Sequence, residues 1–106
     1  MKKNLNMIRG DTLAFAIEIE GLDQQLETCY FSCKRNIDDD NYTFQKSLED
    51  GIEMIETNKY RVRVAPEDTK GKDVGKYYYD LQIGVNGDVH TVLRGQLDIE
   101  TEITEE

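Results

Sequence analysis

Residues 73–99 read DVGKYYYDLQIGVNGDVHTVLRGQLDI, and their alternation decides the fold. In the first half Tyr77, Tyr79, Leu81 and Ile83 fall on one face, with Lys76, Tyr78, Asp80 and Gln82 on the other. A period of two with the apolar residues on one side marks a strand half buried against a core. Asn86-Gly87 supplies the positive φ values that a tight type I′ hairpin turn needs. The return half keeps the rhythm, with Val89, Thr91, Leu93, Leu97 and Ile99 on one face and His90, Val92 and Arg94 on the other. Uninterrupted, this strand would run from Asp88 to Ile103, so Gly95 is where it is expected to bend.

Upstream, Leu5 to Ile8 fits a short edge strand, and Arg9-Gly10-Asp11 a turn or bulge. Thr12 to Glu20 places Leu13, Phe15, Ile17 and Ile19 inward, and Thr28 to Lys34 does the same with Cys29, Phe31 and Cys33. Asn36 to Asn41 is a polar loop, after which Tyr42 and Phe44 carry a strand pattern to Leu48. Ile52 to Glu56 is a short strand whose register is open, since Ile52 and Met54 compete with Ile55 for the inward face. Tyr60, Val62 and Val64 then alternate cleanly with Arg61 and Arg63. Pro66 cannot donate to a ladder, so it ends that strand and opens a single helical turn. The acidic tail, residues 101–106, is expected to fray.

The result is a single domain over residues 1–106. Seven to eight short antiparallel strands with turn signals about every 8–12 residues argue an all-β, immunoglobulin-like sandwich, ahead of a small barrel. One detail favours the sandwich. Asp73, Gly75, Tyr77 and Tyr79 follow the D-x-G-x-Y-x-C spacing that opens strand F of immunoglobulin domains, with Tyr79 in the place of the cysteine. Tyr77 is then a corner tyrosine, its phenol bonding back to the preceding loop and pinning the crossover between sheets.

The chain carries 22 acidic and 13 basic residues, a formal net charge of −9. That balance disfavours nucleic acid, whose affinity comes from Lys and Arg, and an anionic membrane surface equally. Met1-Lys2-Lys3 is not followed by the apolar run of about 7–15 residues that a secretory leader needs. No run approaches the roughly 18 apolar residues of a membrane span. The expectation is a soluble protein made in the cytoplasm, with no membrane insertion.

Candidate chemistry is sparse. Cys29 and Cys33 would lie roughly 13 Å apart on one strand, too far for a disulfide, and read as buried thiols. Arg9-Gly10-Asp11 matches an adhesion tripeptide but runs straight into a strand, where Gly10 serves a bulge or tight approach. Asp38-Asp39-Asp40-Asn41 lacks the spacing of a calcium loop and reads as a solvated hairpin loop. His90, the one histidine, has no nucleophile or orienting acid near it in sequence. No catalytic constellation is visible, so an enzyme is not expected, nor a cofactor or metal. The outward-facing Tyr30, Tyr78 and Val92 form a candidate interface, since tyrosine suits protein contacts. Asp73, Gly75, Tyr77 and Gly87 are the structural positions.

These residues carry a family resemblance. Ile8-Arg9-Gly10-Asp11-Thr12 leading into LAFAIEI, then YFSCKRN, Pro66-Glu67-Asp68-Thr69, GKYYYDLQI and TVLRGQL look like the small β-sandwich proteins of phage and prophage tail and baseplate regions in Gram-positive bacteria. The chain resembles in particular the amino-terminal domain of baseplate upper proteins. The resemblance implies a virion structural or adaptor protein that docks on other tail or baseplate proteins, with a second copy of itself as a further candidate partner. It would sit in the virion and, during assembly, in the bacterial host cytoplasm. Longer members continue into a helical, often trimerising segment that this sequence does not contain. The competing reading is a soluble binding module for carbohydrate or a cell-surface protein, using loops at one end of the sandwich.

Overall fold

A computed structural model describes residues 1–104 of the 106. Among the described residues, eight strands and one helical turn follow in order: β1 (Leu5–Ile8), β2 (Leu13–Glu18), β3 (Thr28–Lys34), β4 (Phe44–Ser47), β5 (Ile52–Glu56), β6 (Lys59–Val64), α1 (Pro66–Thr69), β7 (Gly75–Val85) and β8 (Asp88–Glu100). They form a five-stranded sheet, β1-β8-β7-β3-β4, and a three-stranded sheet, β2-β6-β5. The fold is an all-β, immunoglobulin-like sandwich.

Period-two patterning builds the core. Tyr60, Val62 and Val64 of β6 face Phe31, Leu81, Leu97 and Ile99 of the larger sheet, all fully or almost fully buried. At the centre the Phe31 ring meets Phe15 of β2 edge-on at 5.5 Å, Phe44 at 6.0 Å and Tyr79 at 5.2 Å. In antibody domains a disulfide between strands B and F packs on a Trp of strand C at the heart of the sandwich. Here rings join the two sheets instead. Cys29 and Cys33 are buried free thiols on β3.

The tyrosine corner is formed. The Tyr77 hydroxyl donates to the Asp73 carbonyl at 2.6 Å, and the Arg35 guanidinium lies 4.8 Å over the Tyr77 ring. Gly75 has φ +125°, a left-handed backbone that calls for glycine, and a Cβ there would press on that guanidinium at 2.9 Å. Asn86 (φ 55°) and Gly87 (φ 80°) make the hairpin turn between β7 and β8.

Three expectations need correction. First, β1 pairs with β8 in parallel, Leu5 beside Leu97 and Ile8 beside Glu100. Running that way it delivers the chain to Arg9, whose amide bonds the Glu100 carbonyl at 2.8 Å, at the end where the chain crosses to β2. Second, β8 continues through Gly95, and the irregularity lies at Val92 instead. Leu81 pairs with Leu93 but Gln82 with Thr91. One extra residue reverses the face of everything beyond it. Val89 and Thr91 are therefore exposed on the outer face, while Val92 turns toward the core and packs partly buried against it. His90 stands opposite Ile83, on the core side of the sheet but exposed near the hairpin tip.

Third, Tyr42 precedes β4 and is 52% exposed, so of the two aromatics only Phe44 faces inward, joined on β4 by the buried Lys46. In the acidic tail, residues 101–104 form no strand or helix. Glu102 accepts from Arg9 Nη2 at 2.8 Å and Nε at 3.0 Å, which also holds its carboxyl below the usual range. Residues 105–106 lie outside the described residues. Of the Ile52–Glu56 alternatives, Ile52 is the inward one, with Met54 and Ile55 exposed.

Candidate functional site

The outer face of the five-stranded sheet carries a concavity. Its register brings outward side chains into rows that run across the strands. Gln96, Tyr78 and Lys34 make one row; Arg94, Asp80, Ser32 and Gln45 the next; Thr91, Gln82, Tyr30 and Ser47 a third. Gln45 Nε2 donates to Ser32 Oγ at 3.0 Å, tying β4 to β3 on this face. Tyr42 and Ile37, from the β3–β4 connection, wall one side, and Lys2 stands near β8 on the other. Together they enclose an open concavity of about 820 Å³.

Lys34 carries its ammonium 5.4 Å from the Tyr42 ring centre, a cation–π contact that holds both against the rim. Burial raises the Asp80 carboxyl above its ordinary value, while the Lys34 charge pulls the other way. Arg94 sits directly across from Asp80 on the neighbouring strand, and its guanidinium has no hydrogen-bond or ion-pair partner among the described residues. Three cations thus surround one carboxylate in a groove floored by serine and glutamine. Tyrosine rings offer flat apolar area with a polar tip. The groove thus offers ring faces, amides and charged groups that could stack on, hydrogen-bond and pair with a ligand.

Of the three residues singled out from sequence as an interface, Tyr30 and Tyr78 line this groove and Val92 does not, because of the bulge. Sequence reading missed Tyr42, Ile37, Lys2 and Arg94 as members. Tyr42 and Ile37 come from a loop, and Lys2 reaches the sheet through a bridge to Arg94. Only Arg94 left a trace, as an outward charge two positions from Val92.

The other candidates sit elsewhere. Arg9 is engaged by Glu102 and the Lys72 carbonyl, and the Gly10 amide donates to Thr69 Oγ1 at 2.8 Å, so the tripeptide is a crossover fastening. Asp39 closes its own loop by accepting from the Asn36 amide at 2.9 Å. Among the described residues no group of three or more His, Cys, Asp or Glu is placed to hold a metal. No helix among them is long and apolar enough to cross a membrane.

No protein-family model matches the sequence, and no curated protein matches it. Solved structures match at the level of fold. A chicken T-cell receptor chain superposes with a TM-score of 0.57 at 8% identity, over 99% of this chain and 57% of the receptor chain. A Bacteroides vulgatus protein named as a candidate glycoside hydrolase gives 0.55 at 10% identity, over 92% of this chain but 16% of its own length. The extracellular domain of the voltage-gated sodium channel β4 subunit, described as a parallel homodimer acting in cell–cell adhesion, gives 0.51 at 13% identity, over 96% and 93% of the two chains. These likenesses establish the immunoglobulin-like sandwich.

Proposed function

We propose that this chain is a non-enzymatic protein-interaction module, serving as a structural or adaptor component of a phage or prophage tail or baseplate. The observation that carries the interaction role is the open, tyrosine-bearing outer face of the five-stranded sheet. Exposed aromatics grouped in a concavity are what protein interfaces enrich. The tail assignment draws on the sequence resemblance. The stretches that carry it fall on the β1–β2 crossover, β3, the helical turn, the tyrosine corner and β8. Mechanistically, a rigid sandwich docks one sheet face on neighbouring subunits with little rearrangement.

Gold-labelled antibody against the chain, applied to virions or tail particles from a strain that carries it, tests this directly. Label confined to tails or baseplates is expected. Particles that assemble and infect normally without the chain, and never label, would refute the assignment.

A second reading has one observation in its favour. Tyr30, Tyr42 and Tyr78 share the groove with the amides of Gln45, Gln82 and Gln96, a combination able to stack on and hydrogen-bond a neutral sugar. Saturable chemical-shift changes at those tyrosines on titration with neutral oligosaccharides would favour this carbohydrate module over the virion role.

A further inference from the structure

We propose that the groove on the β8-β7-β3-β4 face receives a short, extended, acidic segment of a partner protein. This rests on the reading of the chain as a protein-interaction module and specifies what that module recognises.

Charge carries the inference. The whole chain is −9, yet the groove's ionised side chains are Lys2, Lys34 and Arg94 against Asp80, a balance of +2. The remainder of the molecule therefore carries −11, from −9 less +2. A basic concavity in so acidic a surface focuses potential where a ligand would sit. Arg94 offers a planar fork suited to a carboxylate, and it has no partner of its own among the described residues. Lys34 is held in place by the Tyr42 ring. Tyr30 and Tyr78 supply ring faces for backbone and methylene contacts, and hydroxyl donors beside them.

Dimensions set the length. From Arg94 on β8 to Gln45 on β4 is three interstrand steps, roughly 14 Å, the span of about four extended residues. The overall charge of −9 repels a long polyanion such as nucleic acid more than a short segment. A face-to-face pair of copies is disfavoured, since a two-fold contact through this groove would bring Lys2, Lys34 and Arg94 toward their own counterparts.

The test is a fluorescence-anisotropy titration of the full chain with a labelled Glu-Gly repeat peptide about ten residues long. A Lys-Gly peptide, a glucuronate oligosaccharide and a single-stranded DNA oligomer serve as comparators. Binding of the Glu-Gly peptide that weakens with salt is expected. The pair K34E and R94E together should weaken it about tenfold or more. Asp80→Asn, which removes the carboxylate from the groove, should tighten it about threefold, a gain that misfolding cannot produce. Equal affinity in the charge-reversed variant, a preference for the Lys-Gly peptide, glucuronate or DNA, or concentration-dependent self-association through Arg94 would each overturn the proposal. If K34E/R94E still joins tail particles normally, the groove assignment alone falls. If the unmodified chain joins none, the underlying reading falls.

Discussion

The Tyr79 hydroxyl on β7 donates to the carbonyl of Lys3, 76 residues away, reaching past β8 at the one position in its path that lacks a side chain, Gly95. A Cβ on Gly95 would run into that same carbonyl. The bond secures residues 1–3, whose backbone pairs with β8 through Lys3 N to Arg94 O at 2.9 Å and Arg94 N to Met1 O at 3.0 Å. Tyr79→Phe is expected to cost about 1 kcal/mol and to speed amide exchange at Lys3 and Arg94 before any other part of β8. Unchanged protection at those two amides would argue against it.

The corner tyrosine makes a separate claim. Tyr77 donates to Asp73 within the loop that joins the two sheets. Tyr77→Phe keeps the ring under Arg35 and removes that bond alone, so a loss of about 1 kcal/mol is expected. A urea midpoint equal to that of the unaltered chain would remove the hydroxyl from the list of contributors.

Lys46 gives a pH-dependent prediction. Its side chain is almost fully buried, yet its ammonium lies 2.9 Å from Asp68 and 3.4 Å from Asp50. Burial pushes its pKa down, but the hydrogen bond and charge of Asp68, then those of Asp50, more than offset this, leaving it above 10.5. A folded value above the unfolded one adds stability that is complete below the unfolded value and disappears as pH rises through the folded one. The stability advantage over Lys46→Met should therefore shrink above about pH 10.5. Asp68→Asn, which also weakens the acceptor for the Ala65 amide at the start of the helical turn, should cost about 2 kcal/mol at neutral pH. Parallel stability–pH curves for the unaltered chain and Lys46→Met would contradict the sign.

Both thiols should be chemically silent. Burial raises Cys29 to about 11 and Cys33 to about 12. The thiolate is the nucleophile, so alkylation by iodoacetamide near neutral pH should wait for unfolding and follow its denaturant dependence. Rapid labelling of the native protein at either cysteine would show that β3 opens locally.

Most of the framework was legible because alternation and turn chemistry are local. Tyr77 to Ile83, Asn86-Gly87, Tyr60 to Val64 and the Pro66 turn each announce themselves within a few residues. What stayed hidden depends on partners far off in sequence. The bulge at Val92 exists only relative to β7, and it moved Val89, Thr91 and Val92 to faces opposite to those their spacing suggests. The parallel alignment of β1 depends on which end of β8 the chain must leave from. The groove was half visible: Tyr30 and Tyr78 share a parity, whereas Ile37, Tyr42 and Lys2 join them by loop path and edge pairing alone.

The parallel pairing of β1 with β8 also fixes how the molecule bears load. The two strands lie side by side and point the same way, so tension between the ends of the chain pulls them past each other along their length. Every bond from Lys2–Arg94 to Ile8–Glu100 then resists at once, rather than yielding one by one as in a peeled hairpin. Forced unfolding is governed by the barrier to that collective slip and not by equilibrium stability. A sandwich strung between two larger bodies would, by this arrangement, behave as a stiff link.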